Sequence, residues 1–447
     1  MIAEAVDCIL REFESHTRSP AAIQKAARLL DRLVGRGFDA HLLQEIQQLR
    51  LRDAVAHTAQ HSPFYCDLFT RLGIVPSDIQ APGDLQALPF TTGEEIQHWQ
   101  QFLCVPQEDV AAVFATAGTT GEPKLVAYTL REMQMLTNLS AVAIRVAHPG
   151  HLVALIALPM RHGLWMGWAT AQRIVERAGG LPLPVGAGDP QETLQWMQRL
   201  EPNVIMSSPS YLTVLTRQAQ ARGYRPKLDK ILVGGEMLYD AQRARFTEYW
   251  DAQVFNSYGA TEIGGGQTIV LPECDGAFHL NDLHLITEIV DPETGEPAEE
   301  GELVFTTLTR EAMPLLRYRS GDRARWAECD CWLPVRAIRL QGRVDDMFIA
   351  GDMNLYGRVM AKAIGEIPGT SGRVELVLDK VDLTDRLVVR VEGNGVQKEK
   401  VRQTLFDAYP ELERNTDNGN LILEIKVSAD LGDQIKAVRI KDKRAVQ

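Results

Sequence analysis

The sequence predicts an α/β protein: a large N-terminal domain with a β-rich lobe over residues 1–342, and a small α+β C-terminal domain over 343–447. Two observations carry this. Between residues 108 and 270, short apolar runs (HLVALIALPM, NVIMSSPS, KILVGGEM, AQVFNSYG) alternate with amphipathic stretches such as ETLQWMQRLE and YLTVLTRQAQ. That alternation is the pattern of mostly parallel strands joined by helices. A length of 447 residues also exceeds one ordinary core, so a second unit is expected.

Taken in order, residues 1–60 show helical periodicity, with Ile9, Leu10 and Phe13 and then Leu29, Leu30, Leu33 and Val34 spaced by polar residues. Over 278–342 the pattern turns to β-rich pieces punctuated by turn chemistry (DPETGEP, GELVFTTL, RYRSGDRARW), which marks a sheet-rich lobe. After Gly342 the order is helix (YGRVMAKAIGEI), strand (RVELVLD), strand (RLVVRVEG), helix (QKEKVRQTLFDAY) and strand (LILEIKVS).

Hydrophobic residues make up 45% and charged ones 24%, the balance of a soluble globular chain. No apolar run approaches the roughly 18 residues that span a bilayer. Residues 1–16 mix acids into their apolar positions, unlike a secretory signal, so a cytoplasmic location is expected. A net charge of -12 argues against nucleic acid or an anionic membrane as partner, because neutralising phosphates needs clustered Lys and Arg. Six cysteines in so long a chain do not make a disulfide scaffold.

Four short segments carry chemistry. Thr116-Ala117-Gly118-Thr119-Thr120-Gly121-Glu122-Pro123-Lys124 packs small residues, hydroxyls and a lysine together, as a loop wrapping phosphate requires; alone it also reads as an ordinary surface turn. Tyr258-Gly259-Ala260-Thr261-Glu262, preceded by Ser257, adds an aromatic plane, a tight turn, a hydroxyl and a carboxylate able to reach a phosphate-bound metal. Tyr318-Arg319-Ser320-Gly321-Asp322 sets an acid after a glycine turn, and Gly342-Arg343-Val344-Asp345-Asp346 opens the final domain.

In this order and at these distances, the four segments resemble the adenylate-forming superfamily. GELVFTTLTREAMPLLRYRSGD, LPFTTGEEI and GGEML resemble its phenylacetate–coenzyme A ligase branch. The resemblance implies that ATP and Mg²⁺ turn a small carboxylic acid, aromatic ones included, into its AMP ester. The thiol of coenzyme A then takes the acyl group. It further implies that Thr116, Gly118, Thr119, Thr120, Gly121 and Lys124 hold the β- and γ-phosphates, and that Tyr258 stacks on adenine with Gly235, Glu236, Ser257 and Gly259 nearby. Thr261 would contact the α-phosphate, Glu262 help hold Mg²⁺, Asp322 bind the ribose and Arg343 contact the nucleotide, with Asp345 at a hinge that lets the small domain move.

The catalytic lysine that the resemblance implies is Lys436, in Ile435-Lys436-Ala437-Val438-Arg439; the other reading is a solvated lysine in the basic run KAVRIKDKR. Two departures stand out. Ile435 replaces the family glycine, and Asn354–Met360 lacks the proline and glutamate common in relatives.

Cys274, His279, Cys329 and Cys331 make a Cys₃His set suited to tetrahedral, structural Zn²⁺, with His284 as a competing imidazole and two unrelated thiol pairs as the plainer alternative. Cys8, Cys66 and Cys104 read as packing residues. By resemblance, the acid would lie among His162, Gly163, Trp165, Ser207 and Gly234, with Met166 and Trp168 close by; each of these also reads as core. The alternatives to coenzyme A transfer are a stand-alone adenylation enzyme loading carrier-protein pantetheine or an amine, and a nucleotide-binding protein without turnover. A homodimer is common in the resembling branch.

Overall fold

The computed structural model describes residues 40–444 except 117–122, 160–163, 237, 239, 270–273, 275, 332, 334, 345–346, 430 and 432–437. At its centre is a five-stranded sheet in the order Leu181–Leu183, Val153–Ala157, Val204–Ser207, Lys230–Gly234, Gln253–Ser257. Every pairing in it is parallel. Helices Met166–Arg177, Pro190–Leu200, Pro209–Ala221 and Asp240–Trp250 alternate with these strands along the chain.

Why the strands read as unbroken apolar runs is visible at Val153–Ala157, where every residue is buried. Leu155 and Ala157 enter a core with Ile205, Leu212, Leu215, Ile231, Phe246 and Trp250. Ala154 and Ile156 enter another with Val142, Ala171 and Val175. A strand covered on both faces has no polar side to alternate with. The short Leu181–Leu183 strand was not anticipated; its proline suits an edge position, where one ladder hydrogen bond can be forgone.

The predicted β-rich lobe is a six-stranded antiparallel sheet, ordered Thr268–Ile269, Phe278–Leu280, Ala337–Arg343, Tyr318–Ala327, Glu300–Thr307, Leu285–Val290. It starts ten residues earlier than the sequence pattern suggested, at a pair of residues too short to register as a run. Helix Ala40–His61 falls at the end of the predicted helical lead-in, whose earlier positions, Ile9 to Val34, lie outside the described residues.

The remainder has a core of its own, built from Phe348, Leu355, Met360, Ile364, Leu376, Leu387, Val389, Val401, Leu405 and Leu423 among others. All five elements read from the sequence after Gly342 are present: Gly357–Gly365, Thr370–Val381, Thr384–Gly393, Lys398–Ala408 and Leu421–Ser428. Helix Pro410–Asp417, strand Val438–Asp442 and the hairpin Met347–Ala350 with Met353–Tyr356 are additional. Val438–Asp442 pairs in parallel with Val374–Leu378, so the basic run after 435 is partly sheet.

Candidate active site

Open parallel sheets bind ligands beyond the carboxyl ends of their strands. Here those ends are Ala157, Ser207, Gly234 and Ser257, which puts Ser207, Gly234, Gly235, Glu236, Ser257 and Tyr258 on one rim. Gly234 pairs with Ser257 in register, and a Cβ on Gly234 would lie 3.0 Å from the Ser257 carbonyl oxygen. Gly235 then turns the chain at φ 84°, in the left-handed region.

Thr116 and Lys124 face each other across the antiparallel pair Val110–Thr116 and Lys124–Thr129, flanking the predicted phosphate loop. Gly118, Thr119, Thr120 and Gly121 lie outside the described residues. Both flanking residues reach Glu262: the Lys124 ammonium at 2.7 Å and the Thr116 hydroxyl at 3.4 Å, each donating to Oε1. Lys124 also donates to the Tyr318 hydroxyl at 2.9 Å, which in turn donates to Glu262 Oε1 at 2.7 Å. The two charged side chains are only 10% and 5% exposed, so each charge depends on the other. Burial opposes ionisation of Glu262, but the Lys124 ammonium and the hydrogen bonds from Lys124 and Tyr318 outweigh it and hold the carboxyl at about 2. Glu262 is therefore a fixed anion at neutral pH, the kind of oxygen ligand a hard divalent cation takes.

Arg310 braces this centre. Its guanidinium donates to the Glu262 carbonyl at 3.1 Å and to Glu132 at 2.6 Å, and lies 3.9 Å over the Tyr128 ring. Thr261 opens a single 3₁₀ turn with Glu262, and its carbonyl accepts from the Tyr128 hydroxyl. Gly259 pairs with Gly266, where a Cβ would fall 1.9 Å from the Gly265 carbonyl; no side chain fits there.

A second cluster joins Tyr258, Asp322 and Arg343. The Tyr258 hydroxyl donates to Asp322 Oδ2 at 2.7 Å and Arg343 donates to Oδ1 at 2.8 Å. Asp322 and Arg343 are register partners on adjacent strands, which is why they meet. Burial, then the Asp322 charge, push the Tyr258 phenol well above its usual range.

Glu236 instead accepts from the Ser210 amide at 3.2 Å and hydroxyl at 2.6 Å. Ser207 is buried with its hydroxyl given to the Ala157 carbonyl at 3.1 Å, and Trp165 lies near Gly235, 3.9 Å from where a Cβ would stand. His162, Gly163 and Lys436 fall outside the described residues. Tyr318 and Arg310 were not assigned roles from sequence; Ser210 lies in the Ser207–Tyr211 stretch expected to line the acyl pocket, but its contact with Glu236 was not foreseen. Tyr318 sits within the quoted RYRSGD segment, but its contact with Lys124, far away in the chain, is not readable from the sequence.

The thiols Cys274, Cys329 and Cys331 and the His279 imidazole bring donor atoms within 4.8 Å of one another. His279 donates from Nδ1 to the Val335 carbonyl at 3.1 Å, which leaves Nε2 as the lone-pair nitrogen, 3.3 Å from Cys274 and 3.2 Å from Cys331. His284 is elsewhere: its Nε2 bonds the Ile263 carbonyl at 2.8 Å, and burial holds its pKa down at about 3.

The sequence pattern of the AMP-binding enzymes matches residues 71–308, more than half of the chain. A phenylacetate–coenzyme A ligase of Aromatoleum evansii is 33% identical over 364 residues, covering 79% of this chain and 82% of that protein. Another, from Thermus thermophilus, is 32% identical over 364 residues, covering 78% and 81%. The chain belongs to the AMP-binding enzymes, in the phenylacetate–coenzyme A ligase branch. The fold of this AMP-binding enzyme is also that of 2-hydroxyisobutyryl-CoA ligase. In its thioesterification state, with 2-HIB-AMP and CoA, that enzyme gives a TM-score of 0.77 at 21% identity, with 91% of each chain covered. Its postadenylation state gives 0.64 at 20% identity, with 92% and 91% covered.

Proposed function

We propose that this enzyme joins a small carboxylic acid, of the aryl or arylacetic kind, to coenzyme A in two steps, with ATP converted to AMP and pyrophosphate. First a carboxylate oxygen attacks the α-phosphorus and pyrophosphate leaves. The thiol then loses its proton, its sulfur attacks the acyl carbon, and the C–O bond to AMP breaks. The observation that carries this reading is the Lys124–Glu262–Tyr318 triangle beside the predicted 116–124 phosphate segment, with Glu262 shortly past the carboxyl end of parallel strand Gln253–Ser257, in a chain of this family.

Adenylation gathers negative charge on already anionic oxygens, so donors fixed in place lower the barrier most. Lys124, with the amides and hydroxyls of the loop, would hold the β- and γ-phosphates. Asp322 and Arg343, already aligned by Tyr258, would take the ribose and the nucleotide. Mg²⁺, when bound at Glu262, supplies charge neutralisation on the phosphates. Thr261 would face the α-phosphate, and Lys436 from the 343–447 unit would stabilise the developing charge.

Residues 343–447 would then act as a small domain taking one position for each step. The higher TM-score against the thioesterification state supports reading the present arrangement as the second one. Trp165 and the residues about Ser207 and Gly234 would border the acid. Cys274, His279, Cys329 and Cys331 would hold a structural Zn²⁺ that ties the start of the antiparallel sheet to its 329–335 loop. Pyrophosphate release from Mg·ATP, measured over aryl, arylacetic and short aliphatic acids with and without coenzyme A, tests the reading. Release that needs an acid and thioester that needs coenzyme A are expected; ATP binding without release for any acid would contradict it.

A further inference from the structure

The hairpin of strands Met347–Ala350 and Met353–Tyr356 turns through Gly351 and Asp352, at φ 56° and 69°. A two-residue hairpin turn with both φ positive favours glycine, asparagine or aspartate, which is the setting Gly351 and Asp352 occupy. Gly351 is fixed from behind. Its amide donates to Asp385 at 3.2 Å, and Asp385 is itself held by Lys380 at 2.7 Å and Arg444 at 3.1 Å.

The Asp352 carboxyl meets Ser208 and Glu236, which follow strands Val204–Ser207 and Lys230–Gly234 at the rim of the parallel sheet. Glu236 stands just past strand Lys230–Gly234, and its Oε2 accepts from the amide and hydroxyl of Ser210. Its Oε1 is buried and, among the described residues, receives no hydrogen bond from an N–H or hydroxyl group. The group that faces this carboxylate is another carboxyl, that of Asp352. Two carboxylates in contact cannot both stay ionised; one proton between them turns repulsion into a hydrogen bond.

We propose that Asp352 is a positioning residue for thioester formation, clasping the 347–356 hairpin onto the carboxyl rim through one proton shared with Glu236. This rests on reading the present arrangement as the thioester-forming one. Burial raises both carboxyls above the ordinary range, with a neighbouring acid adding to it in each case, so the pair keeps one proton between them. The other charged groups facing the pair are Asp385, Glu411 and Lys380; the two acids favour retention of the proton and the lysine opposes it. The clasp is one of several contacts made by the 347–444 unit, beside Arg245 to Asp382 at 3.4 Å and Arg217 to the Gly419 carbonyl at 3.3 Å.

Alkaline pH removes the shared proton and sets two like charges face to face, which releases the hairpin. Thioester formation then falls as pH rises, although thiolate, the reactive form of coenzyme A, becomes more abundant. The test uses the full chain and separates the steps: phenylacetate-dependent pyrophosphate exchange for the first, and thioester formation from supplied phenylacetyl-adenylate and coenzyme A for the second, between pH 6 and 9.

Asp352→Asn keeps a donor to Glu236 and suits the turn, so it should retain thioester formation and lose the alkaline fall. Asp352→Ala should slow thioester formation about tenfold, the loss expected for a buried carboxylate left unpaired, and leave exchange within about twofold. An Asp352→Asn profile with the same alkaline fall as the unaltered enzyme, or an equal slowing of both steps by Asp352→Ala, would overturn the proposal. Absence of exchange in the unaltered enzyme would instead remove the ligase reading, before Asp352 is at issue.

Discussion

Lys124 and Glu262 form a buried ion pair, so their proposed part in the first half-reaction comes together with a part in stability. Lys124→Ala leaves the Glu262 charge buried with one fewer partner, which should cost about 3–5 kcal/mol in denaturant unfolding as well as the first half-reaction. Tyr318→Phe removes only the hydroxyl that both accepts from Lys124 and donates to Glu262. It should lower stability by about 1–3 kcal/mol and slow pyrophosphate release, with the fold intact by circular dichroism. His284 makes a different prediction. Its pKa is depressed by burial to about 3, so the unfolded chain takes up a proton first as pH falls, and stability declines between about 6.5 and 3. His284→Gln should flatten that stretch of the stability profile measured by urea unfolding.

At the scale of elements, the site depends on strand ends and tight turns. Gly259→Ala would force the 259–266 bridge apart and should displace Tyr258 and Glu262 together, seen as loss of nucleotide binding by calorimetry. In the proposed reading zinc would tie Cys274 and His279 to Cys329 and Cys331, so it should copurify in about one equivalent, and chelation should lower the melting temperature. Protein prepared without added metal that contains none would remove the zinc reading.

Much of this was legible in the sequence because the alternation of apolar and amphipathic runs is a direct consequence of strands buried on both faces. The strands at 153–157, 204–207, 230–234 and 253–257 all came from such runs. The three-residue strand at 181 and the two-residue strand at 268 were not legible, since such short pieces carry no period. The pairing of Asp322 with Arg343 is a register fact, set by strands whose partners lie about twenty residues apart, and spacing alone does not reveal it. Nor did the sequence announce that Glu236 faces another acid, because Asp352 is over a hundred positions away and belongs to a different core.

Across the whole molecule, the proposed mechanism has residues 343–447 take one position for each step. Replacing Lys436 with Ala should reduce acid-dependent pyrophosphate release by at least about a hundredfold while sparing thioester formation from supplied acyl-adenylate, because only the first step gathers charge at the α-phosphate. Loss of both steps alike would assign Lys436 to folding or docking instead.

The adenylate route requires the acid's own oxygen to attack ATP before coenzyme A takes the acyl group. A carboxylic acid carrying ¹⁸O on both oxygens, turned over with Mg·ATP and coenzyme A, followed by mass measurement of both products, decides whether it does. One ¹⁸O in AMP and one in the thioester is the predicted result; AMP without label would contradict the adenylate route.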